Sequence, residues 1–151
     1  MGMSKDSNGD ALAITLLSEV AIVEQLAQAH LKRALPPGME VSHFSVLNHF
    51  ARLGGEKTPG QLARAFHVTK GAMTNTLGRL ETSGFVDIRP DENDARRKRV
   101  SLSEKGMDAR NDAVRRIAPV FDAVVQGLGH ERIKAVLPVL RELRKVMDRE
   151  T

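Results

Sequence analysis

The residues able to do chemistry gather between Thr58 and Gly106, in the stretch TPGQLARAFHVTKGAMTNTLGRLETSGFVDIRPDENDARRKRVSLSEKG. At about 100° per residue, a helix from Lys70 to Thr82 carries Met73, Leu77 and Leu80 on one face. The opposite face carries Gly71, Asn75, Gly78 and Thr82, flanked by Thr74 and Arg79. Nothing on it is large and apolar, so it is not built for burial. Its side chains suit a duplex nucleic acid. Asn pairs bidentately with adenine, and Thr touches a thymine methyl or a phosphate. Lys70, in the first turn, reaches a phosphate. Gly71 and Gly78 each cost the helix about 1 kcal/mol relative to Ala, a cost that close approach to a DNA backbone would offset. The competing account of this face is a plain solvated surface.

A second cluster follows, Asp91-Glu92-Asn93-Asp94-Ala95-Arg96-Arg97-Lys98-Arg99, with an acidic half before a basic half. An arginine near a hairpin tip, such as Arg96, can enter a minor groove, where narrow A·T tracts concentrate negative potential. Asp94, two residues earlier, can orient it. Here the competing account is an ordinary charge cluster, in which an exposed Asp–Arg pair is worth about 0–1 kcal/mol.

Other chemistries find little support. There is no cysteine, which excludes disulfides, thiolate zinc sites and thiol catalysis. The five histidines, His30, His43, His49, His67 and His130, show no metal-ligand spacing. Ser42-His43 is adjacency, not a triad, because nucleophile, base and orienting group must meet in space. Gly54-Gly55 and Gly127-x-Gly129 read as helix terminators and not as phosphate loops. The expectation is a protein with no catalytic residues, no metal and no cofactor, which is not an enzyme.

The elements that must position the two clusters follow from caps and periodicity. Asp10 opens a first helix to about Leu35, apolar around much of its circumference. Ser42 opens a second, with Phe44, Leu47, Phe50 and Ala51 inward. Thr58, Pro59 and Gln61 make a capping box with a preset first turn, opening a third helix whose inner residues are Leu62, Ala63 and Phe66. Thr69 caps the helix from Lys70, and Gly84 ends it. Val86 and Ile88 then alternate with Asp87 and Arg89, and Val100 and Leu102 answer them, which predicts a hairpin with a polar loop from Pro90 to Arg97. Ser103 caps a long helix to about Leu128, and a last helix runs from about His130 to Arg149. Helix, tight turn, helix, strand, basic loop, strand is the order of a winged helix-turn-helix.

The fold class expected is therefore mainly α with a small two-stranded β wing. At 151 residues, 41% apolar and 28% charged, the chain is long enough to bury a core. Aromatics are only 3%, which argues against reading single strands by base stacking. The net charge of +4 favours a polyanionic partner. No apolar run approaches the roughly 18 residues of a membrane span, and the polar start MGMSKDSNGD lacks a signal peptide's apolar core. A cytoplasmic protein with no membrane partner is expected, with residues 1–9 a disordered tail.

The chain resembles the MarR family of transcriptional regulators. The resemblance rests on Val68 to Val86, with its Leu80-Glu81-x-x-Gly84 step. It continues through Arg89-Pro90 and the Asp94-x-Arg96 wing to Val100-x-Leu102-Ser103-x-x-Gly106. It implies a homodimer paired through terminal helical regions, 10–41 and 104–151, around a DNA-binding region, 42–103. It implies a double-stranded DNA site of Lys70, Gly71, Thr74, Asn75, Arg79, Asp94, Arg96, Arg97 and Lys98, with Arg96 in the minor groove. It also implies release by a small aromatic or acidic effector. His43, His49 and Arg52, on or near the helix that borders the family's effector pocket, are candidate ligand residues, since Arg with His can hold a carboxylate. The rival expectation is a winged-helix module that binds protein and not DNA, because fold does not fix function.

Overall fold

Helix caps set most of the boundaries in the computed structural model, which describes the backbone of residues 3–149 and the side chains of 7–149. The elements are α1 (Met3–Ala34), α2 (Val41–Leu53), α3 (Pro59–Ala65), α4 (Lys70–Thr82), β1 (Val86–Pro90), β2 (Lys98–Leu102), α5 (Glu104–Leu128) and α6 (His130–Arg149). Thr58 Oγ1 accepts the Gln61 N–H at 3.1 Å, and Gln61 Oε1 accepts the Thr58 N–H at 2.9 Å. Thr69 Oγ1 accepts from Ala72 N–H at 3.1 Å, and Ser103 Oγ from Gly106 N–H at 2.9 Å. Gly84, at φ 78°, ends α4 in a conformation that costs a glycine nothing. His67, a non-glycine at φ 53°, closes the turn between α3 and α4.

Two boundaries differ from expectation. Ser42 does not cap α2: the cap is Glu40, in extended geometry, and His43 takes the position three residues into the helix. There the imidazole Nδ1 accepts the Glu40 N–H at 3.1 Å, as a Glu or Gln would. The first helix begins at Met3 and not at Asp10, so residues 3–9 of the expected tail are helical. Once apolar turns such as Leu12 to Leu17 have nucleated a helix, each added residue costs little. Residues 1 and 2 lie outside the described part.

The chain forms two compact units, one ending at Arg116 and the other starting at Ile117. The core of the first comprises Val46, Leu47 and Phe50 from α2, Leu62 and Ala63 from α3, Met73, Leu77 and Leu80 from α4, and Val86 and Val100 from the hairpin. The hairpin is antiparallel, pairing Val86 with Leu102, Ile88 with Val100 and Pro90 with Lys98. On the other edge of β2, Lys57 exchanges two hydrogen bonds with Val100, at 3.0 and 2.8 Å. That bridge pairs a strand edge which would otherwise be open. In the second unit, α5 continues through Pro119 to Leu128, Gly129 turns at φ 90°, and α6 follows.

Gly106, in the first turn of α5, is where the hairpin and helix meet most closely. A Cβ there would overlap the Phe85 carbonyl oxygen and lie 2.8 Å from Leu102 Cδ1. Backbone oxygen cannot swing away as a side chain can. Gly106→Ala should therefore destabilise the chain by about 1–3 kcal/mol, the usual range for overpacking, as measured by denaturant melts.

Candidate nucleic-acid interface

Helix α4 is fixed by three buried side chains. Met73, Leu77 and Leu80 are 2–3% exposed, and their spacing dictates which residues face out. Lys70, Gly71, Thr74, Asn75, Gly78, Arg79 and Thr82 are all exposed. No atom lies within 4 Å of where a Cβ would sit on Gly71 or Gly78, so both present bare backbone. The Thr74 and Thr82 hydroxyls donate to the carbonyls of Lys70 and Gly78, at 2.8 and 2.9 Å. Their oxygens and methyl groups remain for a partner, while their protons are committed to the helix.

Two clefts flank α4. One, of about 600 Å³, lies between α3, α4 and the hairpin. Its walls carry Arg64 from α3, Lys70 from α4, and Arg96 to Arg99 from the wing, with Glu81 as the acidic residue. The other, of about 920 Å³, lies on the far side of α4, beside the turn Pro36–Met39 and the start of α5. Its apolar lining includes Met39, Leu80, Phe85 and Ala109; its polar lining includes His43, Asn75, Arg79 and Asp112. Arg79, one of its lining residues, places Nη1 3.6 Å from Glu40 Oε1, both side chains well exposed, so the pair contributes little stability.

The wing is shaped by its acidic half. The Asp91 side chain is buried and accepts from Asn93 N–H at 2.9 Å and from Arg99 Nε at 3.1 Å. The Asn93 N–H, then the Arg99 guanidinium, hold its carboxyl below the usual range. Asp94 Oδ1 accepts the Arg96 backbone N–H at 3.0 Å, and the Asp94 carbonyl accepts Arg97 N–H at 2.9 Å. Asp94 thus fixes the backbone of the tip and does not hold the Arg96 guanidinium, as the sequence had suggested. An Asx turn reaches the residue two positions on more readily than a long side chain returns. Arg89 pairs with Glu56 and Glu92, leaving Arg96, Arg97 and Lys98 exposed at the tip.

Of the three candidate ligand residues, only His43 lines the larger cleft. His49 instead packs edge-on against Phe66, ring centroids 5.2 Å apart, and Arg52 is exposed in the last turn of α2. Six and nine residues beyond His43, they point to other sides of the helix. Sequence reasoning missed Arg64, since α3 was read only for its inner face; the signal available was a basic residue beside the inward pair Leu62-Ala63. It also missed Glu40, whose role as cap depends on His43 replacing the usual Glu or Gln.

His43 makes the cap of α2 sensitive to acid. Burial lowers its pKa below 6.5; Glu40 opposes this and Arg79 reinforces it. Protonation would also place a proton on the Nδ1 that accepts from Glu40. A histidine whose folded pKa is depressed contributes stability that is complete above its unfolded pKa, about 6.5, and is lost as pH falls through the folded value. Stability should therefore drop as pH falls from 7.5 to 5.5, and His43→Gln should drop less, because a Gln carbonyl caps at any pH. Parallel melts of the two proteins measure it; equal pH slopes would refute it. His49, whose pKa is also lowered by burial and by Lys57 and Arg52, contributes in the same direction to both proteins.

Residues 38–97, which run from the turn before α2 to the wing tip, match the model of the MarR family. Solved structures share the fold across most of the chain. BldR of Sulfolobus solfataricus superposes with a TM-score of 0.75 at 20% identity, covering 91% of this chain and 95% of that one. A cysteine-to-serine mutant of Escherichia coli MarR, solved with operator DNA, gives 0.76 at 24%, covering 87% and 94%. BpsR of Bordetella bronchiseptica, from work on how 6-hydroxynicotinic acid regulates its DNA binding, gives 0.76 at 17%, covering 86% and 98%. The two flanking clefts and the exposed face of α4 thus lie on a winged helix-turn-helix whose residues 38–97 match the MarR family model.

Proposed function

We propose that this chain is a transcriptional repressor that binds a pseudo-palindromic duplex operator as a homodimer and is released by a small ligand. The observation that carries the reading is the pairing of an exposed polar face on α4 with a groove whose cations face one acidic residue, Glu81. Major-groove entry by α4 would bring Asn75 to base edges and Lys70 to a phosphate. Arg96, at the wing tip, would meet the minor groove, with Arg97 and Lys98 on the backbone and Asp94 holding the tip in shape. MarR was solved on operator DNA, and BpsR is a protein whose DNA binding 6-hydroxynicotinic acid regulates; both support the reading by analogy of fold.

Dimerisation rests on apolar faces left bare. On α1, Leu12 is 73% exposed and Ile14 66%, with Ile22, Val23 and Leu26 beyond them. On α6, Val136, Leu137, Leu140 and Met147 are exposed. Large apolar side chains left exposed in such numbers along a helix favour an interface. The larger cleft is the proposed ligand site. Arg79 would meet an anionic group, Leu80, Phe85 and Met39 an aromatic or aliphatic body, and His43 would border it; His49 and Arg52 drop out. A ligand there touches α4 directly, and acts by favouring one spacing of the two recognition helices over the roughly 34–36 Å that successive half-sites demand.

Light scattering at micromolar concentration should give a dimer, and Leu140→Asp should weaken it, since a buried unpaired carboxylate is costly. A wild-type monomer would refute the assembly. Salt-titrated anisotropy with duplex DNA tests the function: no binding at low salt would leave the protein-binding alternative. Gly71→Ala separates surface from contact. It should stabilise the free protein by about 0.5–1 kcal/mol, the helix propensity gained, and weaken DNA binding by obstructing backbone approach. Stabilisation with unchanged DNA affinity would show that Gly71 faces only solvent.

A further inference from the structure

We infer that Arg64 anchors one phosphate strand of the duplex, gripping it from α3 against the wing, and that α4 is held asymmetrically between its two flanking strands. The inference rests on the proposed DNA binding. An α-helix with side chains is about 10–12 Å across, and the major groove is about 12 Å wide. A helix that enters it therefore has one strand along each flank. Here the flanks differ in charge. On one side, Arg64, Lys70, Arg96, Arg97 and Lys98 surround the smaller cleft with Glu81. Among the described residues, none of these five cations is in an ion pair, whereas Arg99 on the same wall is neutralised by Asp91. On the other side, Arg79 faces Glu40 at 3.6 Å, and Asp112 lines the same cleft. One flank attracts a polyanion and the other is close to neutral.

Within the basic flank, Arg64 has a particular place. Lys70 lies on α4 itself and Arg96 to Lys98 belong to the wing, so these alone would hold a strand from one helix and one loop. Arg64 belongs to the short first helix of the helix-turn-helix, whose Leu62 and Ala63 are buried in the core. A guanidinium carried there is anchored to the core through its neighbours and borders the same cleft as the wing residues. A strand in this cleft is then held from two walls, which fixes its register along α4 as well as its distance. Phosphate contacts of this kind set position while base contacts set sequence.

The experiment is a salt titration of binding to a mixed-sequence duplex, followed by fluorescence anisotropy. Each phosphate contact removed lowers the slope of log K against log salt by about one unit. Arg64→Ala should lose about one unit of slope and bind more weakly at every salt. Arg64→Lys, which keeps the charge, should retain the slope. Arg33→Ala, which removes an exposed charge from the last turn of α1, controls for net charge and should leave the slope in place. Arg64 is exposed and has no hydrogen-bond partner among those described, so melts of all three should match wild type. An Arg64→Ala slope equal to wild type, or a loss shared equally by Arg33→Ala, overturns the inference while leaving DNA binding intact. A wild-type protein that binds no duplex overturns the DNA reading, and this inference falls with it.

Discussion

Everything functional in the first unit depends on the rotation of α4 about its own axis. Three apolar side chains, Met73, Leu77 and Leu80, are driven into the core between α2, α3 and the hairpin. Full burial of a Leu or Met contributes about 1.5–3 kcal/mol, so their combined effect exceeds any local preference of the polar residues between them. The helix cannot turn by even one residue position without exposing one of the three. Asn75, Gly71 and Gly78 therefore face outward as a consequence of what faces inward. The two flanking clefts inherit the same phase: Lys70 and Glu81 fall to one side, Arg79 and Asn75 to the other.

Charge in the wing is sorted by the same economy of burial. The sequence holds three Asp or Glu and four Arg or Lys between Asp91 and Arg99, which looks nearly balanced. In space it is not balanced where it matters. Asp91 is drawn inward and pairs with Arg99, Asp94 turns its carboxylate to the backbone of the tip, and Glu92 lies by Arg89. The acidic residues are thereby used up in folding the loop. Arg96, Arg97 and Lys98 keep their charge for whatever enters the groove. A carboxylate that accepts backbone N–H groups keeps its charge, but none of these three acidic residues lines the cleft that Arg96, Arg97 and Lys98 line.

Most of the elements were legible in the sequence because their signals are local. Thr58, Thr69 and Ser103 announce helix starts, Gly84 announces a stop, and the alternation of Val86, Ile88, Val100 and Leu102 gives the hairpin its register. The misreadings share one cause, a choice between equivalent local options that tertiary context makes. Ser42 is a good cap by type, but Glu40 is the residue whose backbone takes extended geometry after the Pro36–Met39 turn. His49 and Arg52 sit on the same helix as His43, and only the packing of α2 shows which of the three borders the cleft. The Lys57–Val100 bridge joins residues far apart in sequence and leaves no local trace. Arg64 was visible as a residue but not as part of a groove, since its opposite wall lies more than thirty residues further on.

The apolar surface of α1 and α6 bears on how the two units can function. Helices in proteins draw most of their stability from packing, yet α1 displays Leu12, Ile14, Ile22, Val23 and Leu26 to solvent. Within the first unit its closest partner is α2, which contacts it only lightly. Exposed apolar surface favours association, since burial of each exposed Leu or Ile would contribute about 1.5–3 kcal/mol. A homodimer that covers these faces would also fix the distance between two copies of α4. Reading two half-sites needs that distance held, because a helix can enter a second major groove only when the first has set its position along the duplex. On the proposed function, a homodimer that covers these apolar faces is what would let the winged helix-turn-helix measure spacing.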